Sequence, residues 1–148
     1  MKKYFLSEVQ SSSIEDLRLI RNQCRDFMTR NKNIITQEEQ KEWYNNIDKT
    51  KLIPYLFYEN NKAIGYGIIR IESDSCLLTG GLTEQFRDKG LGKILFNSLC
   101  LESNKMNKDI KLEVLKTNSR AFKLYKNLGF VITGESDDLY FMIKEHEN

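Results

Sequence analysis

The stretch Glu84 to Phe96, EQFRDKGLGKILF, limits the choice of fold more than any other part of this chain. It follows an apolar run, CLLTGGLT (Cys76 to Thr83), and leads into a helical pattern with Leu91, Leu95 and Leu99 on one face, running to about Met106. A strand that passes through a glycine loop into a helix is an α/β unit. Gly90 and Gly92 remove side chains from the loop and the first turn, so backbone N–H groups are free to approach a ligand. A helix N-terminus carries unpaired donors and partial positive charge, which suits phosphate. Arg87, Lys89 and Lys93 add cationic donors around the same point.

The flanking sequence supplies the remaining layers. Tyr4 to Val9 reads as a strand, and Ser12 with Glu15 as a capping box for a helix whose face is Ile14, Leu17, Ile20, Cys24 and Phe27. Thr36 and Glu39 form a second box, ahead of a short helix that ends near Asp48 and presents Trp43 and Ile47. Ile53 to Glu59 is a strand, which Pro54 assigns to an edge. Asn60-Asn61 turns it into the long strand that starts at Lys62. After the central helix come a strand, Asp109 to Leu115, and a helix capped by Asn118 with Ala121, Leu124, Tyr125 and Leu128 inward. VITGE and LYFMIKE close the chain as a hairpin. No linker or repeat interrupts this order, so residues 1–148 form one domain with a mixed α/β sheet.

Composition removes several function classes. A net charge of +2 on 148 residues is too mild for a nucleic-acid partner. No apolar run is long enough for a signal peptide or a membrane span. Cys24, Cys76 and Cys100 fit no zinc spacing and read as reduced, buried thiols of a cytoplasmic protein, with no metal site. The single histidine, His146, lies in a tail expected to fray, which leaves no Cys/His or Ser/His/Asp arrangement.

Two phosphate motifs fail on inspection. A P-loop ending at Gly92-Lys93 needs glycine where Arg87 stands, and Ser or Thr where Ile94 stands. The dinucleotide fingerprint starting at Gly90 needs a third glycine where Leu95 stands. The pattern that remains, R-x-x-G-x-G after a strand, is met by Arg87, Gly90 and Gly92 and resembles the acetyl-CoA pyrophosphate signature of the GNAT superfamily of N-acetyltransferases. The downstream run NSRAFKLYKNLGF resembles a second segment of that family at Asn118, Ala121, Leu124, Tyr125, Leu128, Gly129 and Phe130. The two motifs stand in the family's order and cover Leu82 to Phe130.

The resemblance implies a single-domain fold with a mixed, mostly antiparallel sheet, helices on both faces, and two central parallel strands that splay apart, here Cys76–Thr83 and Asp109–Leu115. It implies acetyl-CoA as acyl-donor substrate. Leu82 would offer backbone groups to the pantetheine. The amides of Asp88, Lys89, Gly90, Leu91, Gly92 and Lys93 would hold the pyrophosphate, and Asn118 would touch the pantetheine arm. Glu84 and Asp88 depart from the pattern, which often has proline at the first and glycine or a basic residue at the second. A carboxylate at Asp88 repels phosphate unless it points outward, so weakened cofactor binding is expected.

Direct acetyl transfer requires a neutral amine, a polarised thioester and a protonated leaving thiolate. Neutralising a lysine-like amine at pH 7 costs about 4–5 kcal/mol, and an α-amine only about 1 kcal/mol. By the resemblance, Tyr125 is the acid that protonates the departing sulfur. Glu113 stands where ribosomal-protein alanine acetyltransferases of the superfamily carry their base, with Glu72 or a water relay as rivals. The acceptor implied is a primary amine of a small molecule, amino sugars among the candidates. A protein N-terminus is the alternative reaction, and a CoA sensor without turnover a third reading. The partner expectations are a small-molecule amine, no nucleic acid, no membrane, and a monomer or homodimer.

Overall fold

The computed structural model describes residues 1–147, and its chain runs β1 (Tyr4–Glu8), α1 (Ile14–Gln23), α2 (Gln37–Asn46), β2 (Leu52–Glu59), β3 (Lys62–Ile71), β4 (Ser75–Leu82), α3 (Leu91–Asn104), β5 (Asp109–Leu115), α4 (Ser119–Asn127), β6 (Val131–Glu135) and β7 (Leu139–Lys144). All strands join one sheet in the order β1-β2-β3-β4-β5-β7-β6. Every neighbour is antiparallel except β4 and β5.

Alternation along the central strands divides the core between two faces. Tyr55, Phe57 and Ile69 point to the side covered by α3 and α4, where they meet Leu95, Leu99, Tyr125 and Phe130. Leu56, Tyr66 and Ile68 point to the other side, against Leu17 and Ile20 of α1, with Trp43 of α2 packed at its margin. Leu95 and Leu99 are fully buried, and burial of each such side chain stabilises by about 1.5–3 kcal/mol.

The parallel pair is what shapes the site. β4 and β5 pair from Ser75↔Asp109 to Leu78↔Leu112 and no further. Beyond that point β4 stays with β3 as far as Leu82, and β5 stays with β7 as far as Leu115. The sheet therefore opens into a V at its centre.

Four local expectations are corrected. β2 lies between β1 and β3, so Pro54 is not on an edge. It is tolerated because β1 ends there: the Pro54 carbonyl accepts from Val9 N–H at 2.9 Å, and the Val9 carbonyl accepts the Tyr44 hydroxyl at 3.0 Å in place of the amide that proline lacks. The Ser12/Glu15 capping box does not form. Ser13 occupies the N-cap without a side-chain bond, and Glu15 pairs with Arg18 and Gln37 instead. α1 stops at Gln23, so Phe27 lies in a following 3-10 turn rather than on the helix face. The Thr36/Glu39 box does form, with both bonds at 3.1 Å. His146 is tied to Asp109 rather than frayed, its backbone N–H donating to the carboxylate at 3.1 Å.

Candidate active site

The V between β4 and β5 is the mouth of a cleft of about 290 Å³. One wall is β4 from Leu77 to Leu82, the other Glu113 and Val114 of β5. Gly90, Gly92 and Lys93 line it at the start of α3, and Asn118, Ala121, Leu124 and Tyr125 from α4. Sequence positions up to 101 apart (Cys24 to Tyr125) thus meet in one place. Of the expected site residues, Lys89 and Leu91 do not line it. Leu91 is buried in the core, and Lys89 lies on the ring of Phe86.

The glycine loop is built for a backbone approach. Gly90 has φ +78°, the left-handed region that disfavours a side chain, and a Cβ there would point into open space. It is the N-cap of α3 and supplies no side-chain bond to the first amides, which remain free donors. At Gly92 a Cβ would stand 3.2 Å from Leu124 of α4. The gap side of β4 also has free backbone. Thr83 N–H donates to Ile64 across the β3 ladder, so the adjoining Leu82 amide faces the V.

Arg87 lines the cleft, but its guanidinium is already engaged. Its guanidinium donates to the carbonyls of Leu82 at 3.0 Å and Gln23 at 2.9 Å and lies 5.0 Å over the Phe27 ring. It fastens the loop to the end of α1. The Leu82 carbonyl also accepts the Cys24 thiol at 3.4 Å, which leaves the amide as the free Leu82 group. Asp88, at φ +62°, turns its carboxylate onto Arg120 of α4 at 2.9 Å. That pairing answers the charge conflict raised by the sequence. Asn118 caps α4 by accepting from the Ala121 amide at 3.2 Å.

Tyr125 is buried beneath the cleft, edge-on to Phe96 at 5.0 Å. Its hydroxyl makes no hydrogen bond among the described residues. Burial pushes the phenol well above its ordinary value, so it stays protonated. Tyr66, from the opposite face of the sheet, is a second nearly buried tyrosine that lines the same space.

Glu113 is held tightly. Arg30 grips both oxygens, at 3.1 and 3.0 Å, and the Thr29 hydroxyl donates at 3.2 Å. The Arg30 guanidinium lowers the carboxyl below its usual range, against a smaller opposing effect of burial. Glu72 is in the β3–β4 turn, bonded by the Ser75 hydroxyl at 3.3 Å, and does not line the cleft. Trp43 and Tyr44 are also elsewhere, Trp43 under Arg21 at 5.3 Å and Tyr44 donating to the Val9 carbonyl just after β1. The residues that sequence reasoning missed are Arg30, Thr29, Tyr66 and Arg120. No spacing signal links Arg30 to a strand residue 83 positions away.

A splayed parallel pair with a glycine-capped helix aimed at its mouth offers free backbone amides to an anionic ligand, as a CoA-dependent transferase would need. The sequence model described as the acetyltransferase (GNAT) family matches residues 17–130, and the chain belongs to that family. That family's members are acetyltransferases. Among solved structures, spermidine N-acetyltransferase from Vibrio cholerae, in complex with CoA and spermine, superposes with a TM-score of 0.86 at 20% identity, over 97% of this chain and 95% of that one. yncA from Salmonella typhimurium, solved with acetyl-CoA, gives 0.81 at 18% identity over 99% and 95%. RimL, a ribosomal-protein alpha-N-acetyltransferase in complex with coenzyme A, gives 0.82 at 14% identity over 96% and 93%. No curated protein matches the chain at a comparable stringency. No helix among the described residues is long and apolar enough to cross a membrane.

Replacing Asp88 by glycine removes both the strained φ and a negative charge beside the α3 N-terminus, and frees Arg120. Acetyl-CoA is expected to bind about two- to fivefold more tightly to this variant, the range for one charge at a helix end. Isothermal titration would measure it, and an unchanged or weaker Kd would show that the Asp88–Arg120 pair itself positions the loop.

Proposed function

We propose that this protein transfers acetyl from acetyl-CoA to a primary amine of a small molecule by direct attack. The observation that carries the reading is that Tyr125 and Glu113 line one cleft, at the point where β4 and β5 separate. The free amides around Gly90 and Gly92, with Lys93 beside them, receive the pyrophosphate, and the Leu82 amide and Asn118 meet the pantetheine arm. The amine nitrogen attacks the thioester carbonyl carbon, the C–S bond breaks, and the thiolate leaves toward Tyr125. The proton lost by the amine passes to Glu113, directly or through water.

The chemistry of these two groups sets the acceptor's properties. A phenol raised by burial is a weaker acid than a thiol near 8.5, so Tyr125 assists mainly as a hydrogen-bond donor to the developing thiolate. A carboxylate lowered by Arg30 is a weak base, which favours amines that are easily neutralised. Because Glu113 stays ionised to lower pH than an ordinary glutamate, its own titration falls in the acid range. An acid limb of kcat/KM near neutrality therefore reports deprotonation of the amine. Its contribution to stability is complete above the unfolded carboxyl value and is lost as pH falls through the lower folded value.

The test is acetyl-CoA-dependent thiol release across amino sugars, polyamines, amino acids and N-terminal peptides. Glu113→Gln is expected to lower kcat/KM about 100-fold on the amine that reacts, the low end of the usual general-base effect for a carboxylate this weakly basic, with acetyl-CoA affinity unchanged. Release by none of these amines, with acetyl-CoA still bound, would favour a binding protein without turnover.

A further inference from the structure

We propose that Arg21 and Arg70 form an oxyanion subsite beside the cleft, so that the amine acetylated by this enzyme carries a carboxylate or a phosphate group. This rests on the acetyl-transfer reading, with the acceptor entering from the α1 side of the sheet.

On β3, Tyr66, Ile68 and Arg70 alternate onto that side. Tyr66 lines the cleft, and Arg70 stands directly opposite Leu77 of β4, which also lines it. Adjacent strands are about 4.8 Å apart, so the stem of Arg70 begins one strand from the cleft wall. Its two cross-strand neighbours, Leu52 and Leu77, are apolar. Arg70 is exposed and makes no ion pair among the described residues.

Arg21 approaches from the last turn of α1, one turn before Cys24, another residue of the cleft wall. Its guanidinium covers the Trp43 ring at 5.3 Å. Its Nε is buried and has no hydrogen-bond partner among the described residues. A ring face satisfies the cation but not its N–H groups, which lie in the guanidinium plane. Burial lowers the Arg21 pKa, and the nearby Arg70 charge lowers it further. The two guanidinium groups thus stand on one side of the sheet within electrostatic reach of each other, and Glu113, the carboxylate within reach of Arg70, is already held by Arg30.

The nearby carboxylates are already engaged. Glu113 is gripped by Arg30, and Glu72 accepts from Ser75. Lys111 of β5, opposite Leu77, adds a further cation to this face. A polyamine would meet repulsion here. An oxyanion would satisfy the Arg21 Nε–H, separate the two like charges and match the fork geometry of both side chains.

The experiment compares matched acceptors: free amino acids with their carboxamides, and glucosamine 6-phosphate with glucosamine, with spermidine as a cationic control. The first pair reads a carboxylate and the second a phosphate. In one of them kcat/KM is expected to favour the oxyanion-bearing member by about 10–100-fold, the range for hydrogen bonds to a charged group. Arg70→Gln, a surface change, should remove most of that preference, through KM rather than kcat. In parallel, fluorescence of Trp43, the one tryptophan of the chain, should respond saturably to inorganic phosphate or acetate at fixed ionic strength, and less so in Arg70→Gln. Equal use of both members of each pair, better use of spermidine, or a preference that survives Arg70→Gln would overturn the proposal. If no amine reacts at all, the acetyl-transfer reading fails, and the Trp43 titration alone then decides the subsite: a saturable response lost in Arg70→Gln upholds it, and no response overturns it.

Discussion

Gly90→Val is expected to weaken acetyl-CoA binding about 10–100-fold while leaving a folded protein. Two effects are separable. A β-branched residue at φ +78° is strained by about 1–2 kcal/mol. Its side chain also enters the open space that a Cβ at this position would face, holding phosphate oxygens away from the free amides of α3. Losing one hydrogen bond to a charged group costs about 1.5–3 kcal/mol. Only the second enters Kd, where 1.5–3 kcal/mol is roughly one to two orders of magnitude, while the strain lowers the stability of the free protein. Titration calorimetry with acetyl-CoA and a thermal melt of the free protein measure the two parts separately. Binding as tight as in the unsubstituted protein would show that the cofactor does not use this helix end. Gly92→Ala should do less harm, because its Cβ meets only the movable end of Leu124 at 3.2 Å.

Tyr125→Phe is expected to lower kcat roughly 10–100-fold, at or below the bottom of the usual range for a general acid, with the Kd for acetyl-CoA unchanged. The effect is limited because the thiolate is a good leaving group and the buried phenol a poor acid. The structural role of the ring and the chemical role of the hydroxyl are separable here. The ring packs between Phe96 and Phe130, and phenylalanine keeps both contacts. The hydroxyl has no hydrogen bond among the described residues, so its removal should leave the melting temperature nearly unchanged. A loss of turnover matched by a loss of stability would assign Tyr125 to packing alone.

The elements and the glycine loop were legible in the sequence because they are local. Thr36 caps α2 and Asn118 caps α4 through bonds that span three residues, and a spacing of three is visible in any sequence. The periodicity of Leu91, Leu95 and Leu99 reports a buried helix face whatever it packs against. The failures were also local readings, made where tertiary structure overrode them. Pro54 suggested an edge because it lacks a donor, yet the end of β1 and the Tyr44 hydroxyl make that lack harmless. Phe27 kept the helical period after the helix had ended, and it lies instead beneath Arg87.

The sequence alone therefore determined the fold class, the family resemblance and the residues able to carry the chemistry, since each is set by short-range spacing or by a contiguous motif. Only the tertiary structure decided how those residues are poised. It turned Arg87 inward onto two carbonyls, paired Asp88 with Arg120, and clamped Glu113 with Arg30. It also left Arg21 without a partner for its buried Nε among the described residues. The physical reason is that charge pairing depends on distance in space, and nothing in a one-dimensional order of residues fixes which carboxylate a guanidinium will meet once the sheet has formed.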